Sequence, residues 1–172
     1  VVETFDTFTD EQIQDALAKS HEAFQTWRKT PIDERAKIVS RAAKLFKERK
    51  GELAKIEAQE MGKATPEGEW EINFSGDILQ FYADNAAEHN KDKPVDVPGG
   101  KAVVRRLPIG SLLGIMPWNY PIYQVARFAG PNLMNGNCIL LKHAEITPKS
   151  AAAIEEIFRE AGLPEGVYIN IY

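Results

Sequence analysis

The stretch Gly110–Pro121, GSLLGIMPWNYP, organises the rest of the chain. It begins as an apolar run, Leu112–Met116, and stops at two prolines four residues apart, Pro117 and Pro121. A short apolar run closed by turn residues is typical of a buried strand. Each proline disfavours helical backbone at the residue before it, so Asn119 is expected on a stiff, extended turn. Because ligands bind where strands end in α/β folds, this amide is a candidate functional group.

Composition and charge argue against several kinds of partner. The 172 residues carry 21 Lys and Arg against 25 Asp and Glu, and the pair Arg105–Arg106 is too small for a nucleic-acid footprint. No apolar stretch approaches the roughly 20 residues that span a bilayer, so no membrane contact is expected. The single cysteine, Cys138, excludes an internal disulfide and favours a reducing, cytoplasmic compartment.

Helical patterns fill the first half of the chain, residues 9–90. Thr9 and Gln12 form a capping-box pattern, and Thr30–Pro31 and Thr65–Pro66 are typical helix starts. The last of these helices carries a stripe of large apolar side chains at helical spacing, which is expected to pack in the core: Trp70, Phe74, Ile78 and Phe81.

Residues 94–108 are expected to form a β-hairpin. Val95–Val97 and Ala102–Leu107 are the two predicted strands, and Gly99–Gly100 supplies the positive φ that a tight turn needs. Such a ribbon is either an edge that another subunit covers or a solvated hairpin. The sequence leaves these two alternatives open.

Over residues 111–172 the sequence pattern changes to one that predicts alternating strands and helices. After the first strand, a helix is expected from about Ile122 to Leu133, and Cys138–Leu141 is a second strand ending at Lys142. A further helix starts at Thr147–Pro148, and Val167–Tyr172 is a third strand. This alternation predicts an α/β fold, a partial Rossmann-like parallel βαβαβ sheet behind the helices and the hairpin. The strand ends at 117–119 and 142–145 should then lie side by side.

The usual fingerprints of nucleotide and metal sites are missing. No G-x-G-x-x-G follows the first strand and no P-loop is present, so an ordinary Rossmann dehydrogenase is not supported. The three histidines are scattered, and no metal site is expected. Cys138 lies inside a predicted buried strand, which favours a structural thiol over a nucleophile.

Several motifs together resemble the aldehyde dehydrogenase superfamily, in the family's order and over essentially the whole chain. They are Met116–Pro121, Gly130–Pro131, Asn135–Asn137, Leu141–Glu145 and Gly162–Val167. Members of this family bind a nicotinamide dinucleotide without the usual glycine fingerprint, in keeping with its absence here.

The resemblance implies a role for Asn119 in catalysis. It matches the side-chain amide of the family's oxyanion hole, which stabilises the oxyanion formed when a thiolate attacks an aldehyde. A preorganised N–H donor in such a site is worth roughly 10²–10³ in rate.

The resemblance also implies a cofactor groove for NAD or NADP. Lys142 and Glu145 match the pair that holds the adenosine ribose hydroxyls. An acid facing the 2′-hydroxyl would repel a 2′-phosphate, so Glu145 favours NAD. The remaining groove residues are Met116, Pro117, Trp118, Asn119, His143 and Ala144, with His143 expected to be a second-layer packing residue rather than a proton shuttle.

Arg127 is the clue to the substrate. It lies eight residues after Asn119, and in succinate-semialdehyde dehydrogenases an arginine at this offset binds the distal carboxylate of the substrate. A guanidinium is well suited to that task. The alternative is a surface arginine on an amphipathic helix.

The resemblance further implies that the nucleophilic cysteine, the general-base glutamate and the catalytic domain lie beyond Tyr172. The chain is therefore expected to be the N-terminal part of an enzyme, inactive alone, whose parent oxidises succinic semialdehyde through a thiohemiacetal and a thioester. Another aldehyde substrate, or a non-catalytic nucleotide-binding or assembly module, are the alternatives. A homo-oligomer is expected, because a sheet without later strands leaves an unpaired edge.

Overall fold

A computed structural model describes residues 3–172 and contains helices and strands in the predicted order. The helices are α1 (Asp10–Trp27), α2 (Ile32–Glu48), α3 (Lys50–Met61), α4 (Thr65–His89), α5 (Pro121–Asn135) and α6 (Pro148–Glu160). The strands are β1 (Lys93–Val95), β2 (Ala102–Val104), β3 (Ser111–Met116), β4 (Cys138–His143) and β5 (Tyr168–Ile171).

The second half of the chain folds as the predicted parallel βαβαβ unit. Strands β3, β4 and β5 lie in that order, and both neighbouring pairs are parallel. The register pairs Ile115 with Lys142 and Met116 with His143. The carboxyl ends of β3 and β4 are therefore neighbours, which confirms the predicted juxtaposition of the two strand ends.

The hairpin is present, but its strands are shorter than predicted. β1 and β2 form an antiparallel pair of their own, with Pro94 opposite Val103. The first strand was predicted at Val95–Val97 and is found at Lys93–Val95, because Asp96–Lys101 forms the connection, with Gly99 at φ 75°. Val103 and Val104 remain exposed.

Local signals mark several helix ends. Thr9 and Gln12 form the predicted capping box, and Gly62 ends α3 in the left-handed conformation at φ 77°. Thr65–Pro66 was predicted to start α4. The structure places Thr65 as the first residue inside the helix, and Ala64 takes the N-cap position.

The prediction that the aromatic residues of α4 pack in the core is wrong. Trp70 is 58% exposed and Phe81 is 53% exposed, whereas the smaller Leu79 and Ala83 are buried. The reason is the close approach of α4 to α2: a Cβ on Gly76 would lie 2.9 Å from the carbonyl oxygen of Ala43. Small residues must occupy this contact, so the bulky ones face outward.

A cluster of ionisable side chains is buried where α3, α4 and α5 meet. Lys63 contacts Glu71 and lies 3.8 Å from Glu57, and all three side chains are buried. Glu71 accepts hydrogen bonds, whereas the Glu57 oxygens find no hydrogen-bond partner within residues 3–172. Burial, followed by the nearby charge of Glu71, raises the pKa of Glu57 to about 8. At neutral pH the Glu57 carboxyl therefore keeps its proton.

The exposed edge of the parallel sheet is expected to drive self-association of this chain. Among the described strands β3 pairs only with β4, and its Ile115 is 71% exposed. Unpaired strand edges with apolar side chains favour edge-to-edge contact. We expect concentration-dependent dimers or larger species in sedimentation velocity, and we expect Ile115→Lys to shift them towards monomer.

The matched control for this prediction is Phe81→Lys, at an exposed aromatic position on α4. It should leave the sedimentation profile unchanged. A wild-type chain that stays monomeric at the highest concentration reached would contradict the prediction.

Stability is expected to fall as pH rises from about 5 to 8, with Glu57 as one cause. The folded chain keeps the Glu57 proton up to about pH 8, whereas an unfolded chain releases it near the ordinary value of 4.5. The folded state therefore binds more protons in this window, and rising pH lowers the free energy of unfolding by at most about 1.4 kcal/mol per pH unit.

Urea unfolding at several pH values tests this expectation. Glu57→Gln should remove this part of the slope, whereas Glu22→Gln, at an exposed position on α1, should retain it. Parallel pH profiles for wild type and Glu57→Gln would show that the carboxyl of Glu57 is not responsible.

Candidate functional site

The candidate site lies at the carboxyl ends of β3 and β4. Beyond Met116 the chain enters the turn Pro117–Tyr120, and beyond His143 it enters the turn at Ala144–Glu145. Since Met116 and His143 are opposite each other, the structure brings the two predicted groups of cofactor residues together. Pro117, Trp118 and Asn119 are exposed on this edge, where a ligand can reach them.

Lys142 and Glu145 form an ion pair at this edge. The hydrogen bond from Lys142 lowers the pKa of the Glu145 carboxyl, which is therefore ionised. The Glu145 side chain is 84% exposed. The ammonium keeps two further N–H donors, and the carboxylate keeps acceptor oxygen lone pairs, for neighbouring hydroxyl groups.

A cleft of about 360 Å³ adjoins this pair, and both ends of the described chain contribute to its walls. Phe5 stacks on Tyr172 with ring centroids 5.3 Å apart, and both residues line the cleft beside Lys142 and Ala144. The backbone N–H of Phe8 donates to the Tyr172 carbonyl at 2.7 Å. Sequence reasoning missed Phe5 and Tyr172, because no local pattern shows that two segments so far apart in sequence meet.

His143 is largely buried in the wall of this cleft. Burial, helped by the positive charge of Lys142, lowers its pKa to about 4, so the ring is neutral at pH 7. Neither ring nitrogen finds a hydrogen-bond partner within residues 3–172. His143 therefore contributes a neutral, largely buried ring to the lining of the cleft.

A row of aromatic rings leads away from the turn on the other side. The aromatic row comprises Trp70 and Phe74 from α4, with Tyr120 and Tyr123 at the start of α5. Ring centroids are 5.3 Å apart between Trp70 and Phe74, 5.8 Å between Phe74 and Tyr123, and 6.2 Å between Tyr123 and Tyr120. The row is a candidate binding surface that sequence reasoning missed, because it assigned the α4 rings to the core.

Arg127 stands at the end of this row. Its guanidinium lies 5.6 Å from the centre of the Tyr123 ring and donates to Gln124 at 3.2 Å. The side chain is exposed and has no carboxylate partner within residues 3–172. It therefore presents an exposed cation beside the Tyr123 ring.

The N-terminus of α5 is not open to a phosphate. The backbone N–H groups of Ile122 and Tyr123 both donate to the Glu71 carboxylate, at 3.0 and 2.9 Å. In an ordinary Rossmann unit these groups bind the dinucleotide pyrophosphate. Here a protein carboxylate occupies them, which explains structurally why no glycine fingerprint is needed after β3.

Cys138 is fully buried on β4, and burial raises the pKa of its thiol to about 12. The predicted burial of this residue within a strand is confirmed. Within residues 3–172 no group of three or more His, Cys, Asp and Glu is placed to hold a metal, and none of the helices there is long and apolar enough to cross a bilayer.

Comparison with known proteins identifies similar chains. The sequence profile of the aldehyde dehydrogenase family matches residues 1–172. A succinate-semialdehyde dehydrogenase [NADP(+)] of Deinococcus radiodurans is 43% identical over 99% of this chain and 36% of its own length. A succinate semialdehyde dehydrogenase [NAD(P)+] of Escherichia coli is 37% identical over 92% of this chain and 34% of its own length.

Solved structures agree with the sequence comparison. The succinic semialdehyde dehydrogenase of Streptococcus pyogenes, in complex with NADP+ as the cofactor, superimposes with a TM-score of 0.96 at 34% identity. The alignment covers 99% of this chain and 38% of that one. The chain thus spans about a third of the length of the relatives it matches. With its fold, its strand-end turns and its full-length profile match in agreement, this chain belongs to the aldehyde dehydrogenase family.

Proposed function

We propose that this chain is the N-terminal part of the cofactor-binding domain of an enzyme that oxidises succinic semialdehyde to succinate with NAD or NADP. Within the chain, residues 9–90 form its helical part, 94–108 its hairpin and 111–172 its βαβαβ unit. The observation that carries the proposal is the register of β3 and β4, which sets the turn of Asn119 beside Lys142 and Glu145. The proposed oxidation requires an amide donor for the oxyanion and a pair of side chains that binds the adenosine ribose, and both lie at the carboxyl ends of β3 and β4.

Asn119 is proposed as a donor to the oxyanion. When a thiolate attacks the aldehyde carbon, the electron pair of the C=O bond moves to oxygen, and the side-chain N–H of Asn119 donates to it. The nucleophile comes from outside residues 1–172, since Cys138 is buried. A dinucleotide held by Lys142 and Glu145 would supply the hydride acceptor for oxidation of the thiohemiacetal to a thioester, and hydrolysis of the thioester would yield the carboxylate.

Lys142 and Glu145 are proposed to hold the adenosine ribose, with the ammonium donating and the carboxylate accepting. Met116, Pro117, Trp118, His143 and Ala144 are proposed to form the neighbouring walls. The preference for NAD expected from Glu145 is not supported, because the Deinococcus radiodurans and Escherichia coli relatives described above are named for NADP(+) and NAD(P)+. Because Glu145 is exposed and paired with Lys142, its repulsion of a 2′-phosphate is screened, and we propose that both dinucleotides bind.

Arg127 is proposed to bind the distal carboxylate of the substrate. Its planar guanidinium can donate two parallel hydrogen bonds to a carboxylate. The aromatic row beside it offers an apolar surface for the carbon chain between the two ends of the substrate.

Titration with dinucleotides tests the proposed role of Lys142 in binding the cofactor. We expect NAD and NADP to bind this chain in calorimetric titrations, and we expect Lys142→Ala to raise the Kd about 10- to 100-fold, because a charged hydrogen bond is lost. Lys37→Ala removes an exposed cation on α2 and should leave the Kd unchanged. Equal affinities for wild type and Lys142→Ala would remove Lys142 from the groove.

Substrate kinetics in the complete natural protein test the proposed role of Arg127 in binding the substrate carboxylate. Arg127→Gln is expected to raise the KM for succinic semialdehyde about 10- to 100-fold, while a neutral aldehyde of similar length is unaffected. Arg41→Gln, an exposed arginine on α2, is the matched control. An equal effect on both aldehydes would point to another substrate.

The same assay examines Asn119. Asn119→Ala should lower kcat about 10²–10³-fold for both aldehydes, because the donor acts on the reacting oxygen rather than on the distal group. Full activity of Asn119→Ala would overturn the proposed chemistry, and dinucleotide binding without any aldehyde oxidation would favour a non-catalytic nucleotide-binding module.

A further inference from the structure

We infer that Glu71, held in place by Lys63, is a positioning residue for Asn119. The inference rests on the proposed role of Asn119 in stabilising the oxyanion. It assigns a function to a buried ion pair whose side chains do not reach the surface where substrate would bind. Glu71 lies on α4, far from Asn119 in sequence.

The first step in the inference concerns the start of α5. This helix begins at Pro121, two residues after Asn119, and within residues 3–172 no side chain at its N-cap accepts from its first N–H groups. Glu71 takes over that task with one oxygen, Oε1, which accepts from Ile122 at 3.0 Å and from Tyr123 at 2.9 Å. The carboxylate therefore ties the backbone on the carboxyl side of Asn119 to α4.

The second step concerns the other oxygen of the same carboxylate. Glu71 Oε2 accepts a hydrogen bond from the ammonium of Lys63. The Lys63 Nζ atom also lies 4.2 Å from the centre of the Tyr120 ring, and Tyr120 directly follows Asn119. The Lys63–Glu71 pair thus restrains the chain after Asn119 in two places. Lys63 contacts the ring of Tyr120, and Glu71 holds the backbone at residues 122–123.

The third step separates positioning from direct catalysis. Glu71 is fully buried, and both of its oxygens are engaged, so it cannot take a proton from a substrate. What it can do is fix where the turn stands. An amide donor displaced by about 1 Å loses on the order of 10²-fold in rate, because the donor must meet the oxyanion at hydrogen-bond distance.

A second glutamate provides an internal comparison. Glu60 of α3 accepts from the backbone N–H groups of Lys149 at 2.6 Å and Ser150 at 2.9 Å, at the start of α6. That helix follows the turn of Lys142 and Glu145. The two carboxylates make the same kind of contact with different turns, so their variants should have different kinetic effects.

The decisive experiment combines kinetics in the complete natural protein with amide exchange in this chain. We expect Glu71→Gln to lower kcat for succinic semialdehyde about 10²-fold, with the dinucleotide Kd unchanged, at a temperature where the variant is fully folded by circular dichroism. Glu60→Gln should instead raise the dinucleotide Kd and leave kcat within about twofold. Equal kcat for wild type and folded Glu71→Gln would overturn the inference.

Rescue distinguishes positioning from a general loss of stability. Glu71→Gln leaves Lys63 buried without a carboxylate, which is destabilising. The double variant Lys63→Met with Glu71→Gln removes that charge and keeps an acceptor oxygen for α5, but it loses the Lys63 contact with the Tyr120 ring. It should therefore recover Tm and part of kcat. If the double variant recovers Tm but not kcat, the charge of the Glu71 carboxylate matters rather than the position of Asn119. That result would overturn the inference as stated.

Hydrogen exchange gives a readout that does not depend on the proposed activity. In this chain the amides of Ile122 and Tyr123 should exchange slowly, and Glu71→Ala should speed their exchange at least about tenfold more than that of Lys149 and Ser150. If Glu71→Ala does not fold, Glu71→Asp serves instead. Unchanged exchange at Ile122 and Tyr123 overturns the positioning role, whereas full activity of Asn119→Ala overturns only the proposed chemistry.

Discussion

The arrangement of the candidate site depends on one buried carboxylate. Glu71 joins the helical layer to the βαβαβ unit, because its oxygens accept from the backbone of α5 and from Lys63. An isolated buried charge would be strongly unfavourable, and only the combination of an ammonium and two backbone donors makes this burial possible. The same contacts satisfy N–H groups that every helix leaves free at its start. Stability and the placement of the turn therefore have a common origin.

The two helices that follow the turns of the candidate site, α5 and α6, are both capped by a carboxylate from another helix. Glu71 caps α5 and Glu60 caps α6, and each carboxylate comes from the helical layer packed behind the sheet. In an ordinary Rossmann unit the first helix N-terminus binds phosphate. Here the N-termini of α5 and α6 are used for internal packing, so the proposed recognition of a dinucleotide would rely on side chains at the strand ends and on groups outside these two helices. The fold is thus Rossmann-like in topology but differs in how it can hold a ligand.

Burial divides the residues of the site into two kinds. His143 and Cys138 are enclosed, and the loss of solvation keeps the ring neutral and the thiol protonated. Asn119, Arg127 and Glu145 stand in solvent, where they can meet a ligand. The exposure of Glu145 also weakens the electrostatic argument for NAD, since water and Lys142 screen its charge.

The sequence by itself determined the order of elements, the parallel sheet and the turns at 117–119 and 142–145. Those features follow from apolar runs, prolines and glycines, which act over a few residues. Only the tertiary structure decided which face of α4 is buried, because the close contact of Gly76 with α2 excludes large side chains there and turns Trp70 and Phe74 outward. It alone also placed Glu71 at the start of α5, a contact between residues about 50 apart that depends on how the helices pack.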